Sequence, residues 1–318
     1  MSADEFFPDL LQRLEALDRL AAAPVTRDIA VARLKRALPD PIRRIELSDM
    51  IDQTTTQILD RATPSNYPLA NTSYVDSVRM YRADSDVLLH LLANGVYHDD
   101  GTHDALWLRA LERLTRIRSS FSGGFNPNLE ALRHYPALLA TWTMGVAAVV
   151  ARREEVVAGL MARPKWTTRT GKTESQAPSV YLHPWRVLPG ELREVCPPEP
   201  GRKWLYPQSR LLRQEVRDPI RPIEPDDTAY KAACSRFEFL ASMIAMDDDD
   251  EYRRDPWPGE FLTGEYWGHD SGVARTIEQE LTPAWPLLQA GAFSGDLDRA
   301  KAAYTRLIEW RAQNHRGF

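Results

Sequence analysis

The sequence predicts a mainly α protein, a multi-helix bundle in two lobes joined by a Pro-rich, largely irregular connector. Three observations carry this. Apolar residues recur at three- and four-residue spacing through most of the chain, the period of a helix with one buried face. Residues 135–151, YPALLATWTMGVAAVVA, run for 17 positions without a charge and form one central helix. Ten of the 23 prolines fall between Pro178 and Pro225, where long regular elements are disfavoured. With 318 residues the chain also exceeds the size at which single cores tend to divide, about 250 to 300 residues. The expected lobes are 1–162 and 207–318, with 163–206 as the connector.

Within the first lobe, Leu10, Leu14, Leu17 and Leu20 place one apolar stripe on a helix over 4–23, closed by Pro24. Thr26 caps a second helix with Ile29, Leu34 and Leu38 on its face, ended by Pro39 and Pro41. A third covers 45–62. Asn71, Thr72 or Ser73 caps a helix through Val78, Tyr81, Leu88 and Leu92, with Gly95 as its stop. His98-Asp99-Asp100-Gly101 reads as a turn, and Thr102 caps a helix whose face carries Leu106, Trp107, Leu111, Leu114 and Ile117. Asn126 followed by Pro127 starts the central helix, because Asn caps open N–H groups and Pro at the first position loses no bond. Arg152 and Arg153 mark its exit. In the connector, 180–188 is expected to be extended, and Tyr181, Trp185, Trp204 and Tyr206 imply packing rather than a loose linker. The second lobe reads as helices over 209–216, 228–246 with an Asp226 or Asp227 cap, 273–281, a turn at 285–290, and a last amphipathic helix capped by Asp296.

Composition narrows the function classes. A net charge of -5 favours solubility and gives no global attraction to a polyanion. Two distant cysteines, Cys196 and Cys234, fit neither a disulfide framework nor a zinc module, so a reduced, cytoplasmic location is expected. The N-terminal residues lack the basic and apolar pattern of a secretory signal. The 17-residue apolar run only reaches the lower limit of a membrane span, about 17 residues, and reads as a buried helix.

No motif completes a reactive site. Thr170-Gly171-Lys172-Thr173 ends like a phosphate-binding loop, but Trp166 stands where the loop's first Gly must be. Gly268-His269-Asp270-Ser271-Gly272 has triad residue types without a nucleophile elbow. The five acids at 247–251 lack the alternation and the Gly of a calcium loop, and read as a solvated acidic loop. His98 and Asp99 are the residue types of an HD-type metal-dependent phosphohydrolase, which makes that activity an alternative expectation. Accordingly, no catalytic residue, metal ligand or cofactor is assigned.

Charge is more informative. Between Arg152 and Arg221 there are 14 Lys or Arg against eight Asp or Glu, while 224–255 holds ten acids against four bases. Either neighbouring parts of one fold attract each other or these are solvated faces, or else Arg152, Arg153, Arg163, Lys165, Arg169 and Lys172, interleaved with Trp166, offer a surface for phosphate or nucleic acid. Trp257 and Trp267 bound an aromatic loop suited to a protein contact, as does the last helix.

Four stretches carry a resemblance: Leu129-Glu-Ala-Leu-Arg-His-Tyr-Pro-Ala-Leu-Leu, Leu182-His-Pro-Trp-Arg-Val-Leu, Arg236-Phe-Glu-Phe-Leu, and Trp285-Pro-Leu-Leu-Gln-Ala-Gly-Ala-Phe-Ser-Gly-Asp. As a set, covering most of 40–318, they resemble uncharacterised helical regions of bacterial multidomain proteins that follow an effector or nucleotide-handling module, some in anti-phage defence. The resemblance implies packing elements and no catalytic residue. The expected function is a non-catalytic helical scaffold or sensor region that binds another protein, in a bacterial defence or signalling system. A nucleic acid is the less favoured partner, and no membrane is expected.

Overall fold

The computed structural model of the chain describes residues 26–62, 73–116, 126–162, 166–167, 175–189, 192–197, 206–248 and 272–314, with single positions between 252 and 259. The expected helix over 4–23 and the residues Arg163, Lys165, Arg169, Lys172, Trp257 and Trp267 lie outside them, as do Gly268 to Ser271. The mainly α expectation is met.

The first helix, α1 (Arg27–Ala37), buries Ala30, Leu34 and Ala37. Of the expected stripe Leu34 is fully buried, but Ile29 faces solvent and Leu38 is only partly buried, and Ala30 and Ala37 complete the buried face instead. A 3-10 turn (Pro41–Arg43), started by Asp40 accepting from the Ile42 N–H, leads into α2 (Arg44–Arg61). On the buried face of α2, Thr54 and Thr55 donate their hydroxyls to the Met50 and Ile51 carbonyls at 2.7 Å, which satisfies both polar groups locally.

Ser73 then caps α3 (Tyr74–His98), accepting from the Asp76 N–H at 3.0 Å. Gly95 does not stop this helix. It lies one turn before the end, against the Trp107 ring, where an added Cβ would stand 2.7 Å from Cη2. Glycine is needed there for close approach rather than for a left-handed cap. The turn at 99–101 does form, with Gly101 at φ +104, and α4 (Asp104–Leu114) follows, burying Trp107, Ala110, Leu111 and Leu114. Thr102 does not cap it: its N–H and hydroxyl both turn back to Asp100 Oδ1.

Asn126 accepts from the Asn128 and Leu129 N–H groups as expected, yet it starts only a short helix, α5 (Pro127–Leu132). The central helix α6 (Tyr135–Val150) begins separately after a turn at Arg133 and His134, and every residue from Tyr135 to Ala148 is buried. At its exit Arg152 adopts φ 59, a conformation usually left to Gly, and its N–H bonds to the Val149 carbonyl. The chain turns directly into α7 (Glu155–Ala162).

In the connector, a minimal antiparallel pair joins β1 (Trp166–Thr167) to β2 (Ser175–Gln176). The expected extended segment at 180–188 is instead two one-turn helices, α8 (Pro178–Tyr181) and α9 (Pro184–Val187). Each has Pro in its first turn, where the missing N–H costs nothing. Next come α10 (Pro207–Glu215), α11 (Arg217–Ile220), and α12 (Asp227–Asp248), which Asp226 caps by accepting from the Ala229 N–H at 2.7 Å. The chain closes with α13 (Val273–Glu280), α14 (Pro286–Gln289) and α15 (Leu297–Asn314), the last capped by Asp296 as expected.

Helices α3 and α6 pack along each other, α1, α2 and α4 cover one side, and α12 crosses α6 on the other with α15 behind it. Buried residues from 30 to 307 belong to a single hydrophobic core. The two expected lobes therefore share one interior, since α11 and α12 insert against α3 and α6 rather than forming a separate bundle. No helix of the described residues is long and apolar enough to cross a membrane.

Candidate functional site

The oppositely charged stretches are drawn together within the fold. Arg213 reaches Glu238 at 2.8 Å, and Arg217 binds Asp227 through Nε at 2.9 Å while donating to the Glu224 and Pro225 carbonyls. Arg236 bridges Glu154 and Glu280. Of the expected acidic loop, Asp247 is buried at the end of α12 and accepts from Arg299 Nε and Nη2 at 3.0 and 2.7 Å, and Asp248 accepts from Ser179.

Among the residues expected to form a basic surface, Arg152 is exposed, but Arg153 points inward. It donates to the Val96 and Asp99 carbonyls at 3.0 and 2.7 Å and to Asp104 at 2.8 Å, closing the α3–α4 elbow from α7's side. Burial pushes the Asp104 carboxyl above its ordinary range, and Arg153 opposes that rise. Trp166 contributes its backbone to the strand pair with Gln176.

At the same elbow, Asp99 is buried and its carboxylate accepts three hydrogen bonds at 3.0 Å, from the His103 N–H, His103 Nδ1 and Trp107 Nε1. His98 projects away from it and is exposed. Asp99 thus organises the start of α4, a structural role for one of the two residues on which the alternative of HD-type metal chemistry rested.

A small space with polar and apolar walls lies elsewhere, where the connector meets α6 and α12. A cavity of about 50 Å³ is walled by Leu138 and Trp142 of α6, Leu182 and Trp185 of the connector, and Phe237 of α12. That volume holds a few waters or a small organic group, taking about 10 to 15 Å³ per water. Trp142 and Phe237 meet edge to face, 5.5 Å apart. The polar side is built on Glu238, a carboxylate set between Phe237 and Phe239 on a buried helix face. Ser209 donates to its Oε1 and Arg213 to its Oε2, while the Tyr230 hydroxyl donates to the Arg213 carbonyl. Charge and hydrogen bonds are therefore supplied to a carboxylate that would otherwise be costly to bury.

Tyr206, Gln208, Ser242 and His183 complete the rim. Burial, and then Glu238, pushes the Tyr206 phenol up to about 12, so it stays protonated and able to donate. Gly259 closes one wall: it has φ +102, and an added Cβ would stand 2.0 Å from Glu238 Oε1. Because Ser209 and Arg213 already occupy Glu238, the arrangement suits recognition better than proton abstraction.

Sequence reasoning quoted most of these residues without assigning them. The stretches around Leu138, Leu182 to Trp185, and Phe237 to Glu238 belong to three of the four segments carrying the resemblance, and they converge on this cavity. The signal available in advance was Glu238 itself, an acid inside an apolar helical run. The fourth segment lies apart, with Trp285 stacked on Phe293 at 6.0 Å.

A second surface feature stands at the far end of the fold. The exposed large apolar side chains among the described residues are Ile29, Ile42 and Ile45, at 53, 89 and 73% exposure, all from the α1–α2 hairpin. Ile45 borders a groove of about 660 Å³ that runs along α2 past Met50 to Val87. No family model matches the chain, and no curated protein or solved structure matches it.

Proposed function

We propose that this chain is a helical scaffold or sensor region that works by binding, with another protein as its partner. The observation that carries the reading is the isoleucine face. Among the described residues the three exposed large apolar side chains are all β-branched and all come from one hairpin, beside a groove with apolar and charged walls. Exposed apolar clusters rimmed by polar residues are favoured at protein interfaces. The cavity between the connector, α6 and α12 supplies a place for a sensed small molecule. The resemblance to helical regions of bacterial defence proteins supports a partner that carries the effector activity.

Pull-down from the native host tests this with Ile42→Glu/Ile45→Glu. Both side chains are exposed, so the variant keeps the wild-type circular dichroism spectrum and melting temperature. A specific partner retained by the wild-type chain and lost by the variant is the expected result. A chain that elutes alone and retains nothing would remove the interaction reading.

A further inference from the structure

Asp86 and His90 stand four residues apart on α3, so their side chains leave the same helix face. Helix α11 packs across that face and brings Asp218 to it. One ligand atom from each of the three residues lies within 4.8 Å of the other two. The His90 side chain is only 5% exposed, and its Nδ1 is 2.9 Å from the Asp86 carbonyl and 3.8 Å from the Asp86 carboxylate oxygen Oδ1. Donation from Nδ1–H to that carbonyl places the lone pair of the neutral ring on Nε2. Among the described residues no hydrogen bond reaches Nε2. What faces it is Asp218 Oδ2, at 3.5 Å.

A lone pair and a carboxylate oxygen repel each other unless a proton or a metal cation stands between them. Their separation matches two ligands of one tetrahedral ion, since donors about 2.0 to 2.1 Å from zinc lie about 3.4 Å apart. Local charge points the same way. Asp86, Asp218 and Glu215 bring three negative charges, and Arg82 and Arg27 bring two positive ones. Arg82 is shared between Asp86 and Glu215 at 2.9 Å each, and Arg27 touches Asp218 at 2.9 Å from the solvent side.

We propose that Asp86, His90 and Asp218 form a binding site for a divalent transition metal of the zinc type, which clasps α3 to α11. An imidazole with two carboxylates suits such an ion better than magnesium or calcium, which favour all-oxygen shells. The Asp86 carbonyl on Nδ1 is the kind of outer contact that orients a metal-bound histidine. Asp218 is exposed, so the ion has an entry path once Arg27 swings aside.

The test is calorimetric titration of the chelator-stripped full chain with Zn²⁺, and with Mg²⁺ as control. One saturable Zn²⁺ site and no Mg²⁺ site are expected. Asp218→Asn changes an exposed side chain, keeps the fold by circular dichroism, and weakens Zn²⁺ binding by more than the about 10-fold that even outer contacts are worth. His90→Gln abolishes binding. Arg27→Ala removes the competing guanidinium and tightens it, a response that ions held elsewhere on the surface do not show. Absence of saturable Zn²⁺ binding, or an affinity unchanged by Asp218→Asn, overturns the proposal.

Discussion

The central helix α6 meets α12 in two unlike ways. Toward its C-terminal half, Gly145 lies so close to Phe237 that an added Cβ would stand 2.0 Å from the ring. Toward its N-terminal half, Leu138, Thr141 and Trp142 look into the cavity, with Glu238 and Ser242 across from them. Phe237 divides the two regions, closing the seam with one edge and meeting Trp142 with the other. The same helix pair is interlocked where a missing side chain admits a ring. It stands open where a paired carboxylate holds the facing surface apart. Packing density here follows individual residues rather than the hydrophobicity of the helix.

The strongest way to break this contrast is Gly145→Val. The ring of Phe237 is fully buried and lies where the new side chain would stand, so the substitution costs about 3 kcal/mol, read as a lower urea midpoint. If the variant is as stable as the wild type, the seam is not closed.

Acid tests the cavity end of α6. Burial, and then Arg133, lowers the His134 imidazole to about 4, against about 6.5 in the unfolded chain. A depressed pKa means the unfolded state takes up protons first. The associated stability is complete above pH 6.5 and is lost as pH falls toward 4, by up to about 3 kcal/mol. His134→Gln should flatten the stability profile across that window, and an unchanged profile would assign the acid sensitivity to other groups.

Glu238→Gln keeps the shape of the side chain and removes its charge, and with it the ion pair to Arg213. A loss of about 2 kcal/mol is expected by urea denaturation, in the range of hydrogen bonds to charged groups. The smallest effect belongs to Ala241→Leu, which adds volume beside existing space rather than against a ring. Its stability should change by no more than about 1 kcal/mol, and a change as large as that of Gly145→Val would erase the distinction between the two regions.

Much of the helical layout was legible in advance because caps and periodicity act over a few residues. Ser73, Asn126, Asp226 and Asp296 all accept the N–H bonds that their positions implied. Errors arose where long-range packing reassigned a local signal. Gly95 looked like a stop because glycine often ends helices, yet Trp107, twelve positions later, requires it inside one. Thr102 looked like the cap of α4, yet its N–H and hydroxyl turn back to Asp100. The cavity was hardly legible at all, since its walls come from segments a hundred residues apart.

By itself, then, the sequence determined the helical class, the buried uncharged helix and the positions of most helix starts, all of which depend on neighbours within one or two turns. The tertiary structure decided that the two halves share one core, that Glu238 meets Arg213 beside a cavity, and that Asp86 and His90 face Asp218. Those facts rest on contacts between distant segments, whose geometry is set by which side chains leave room for a neighbour and which do not.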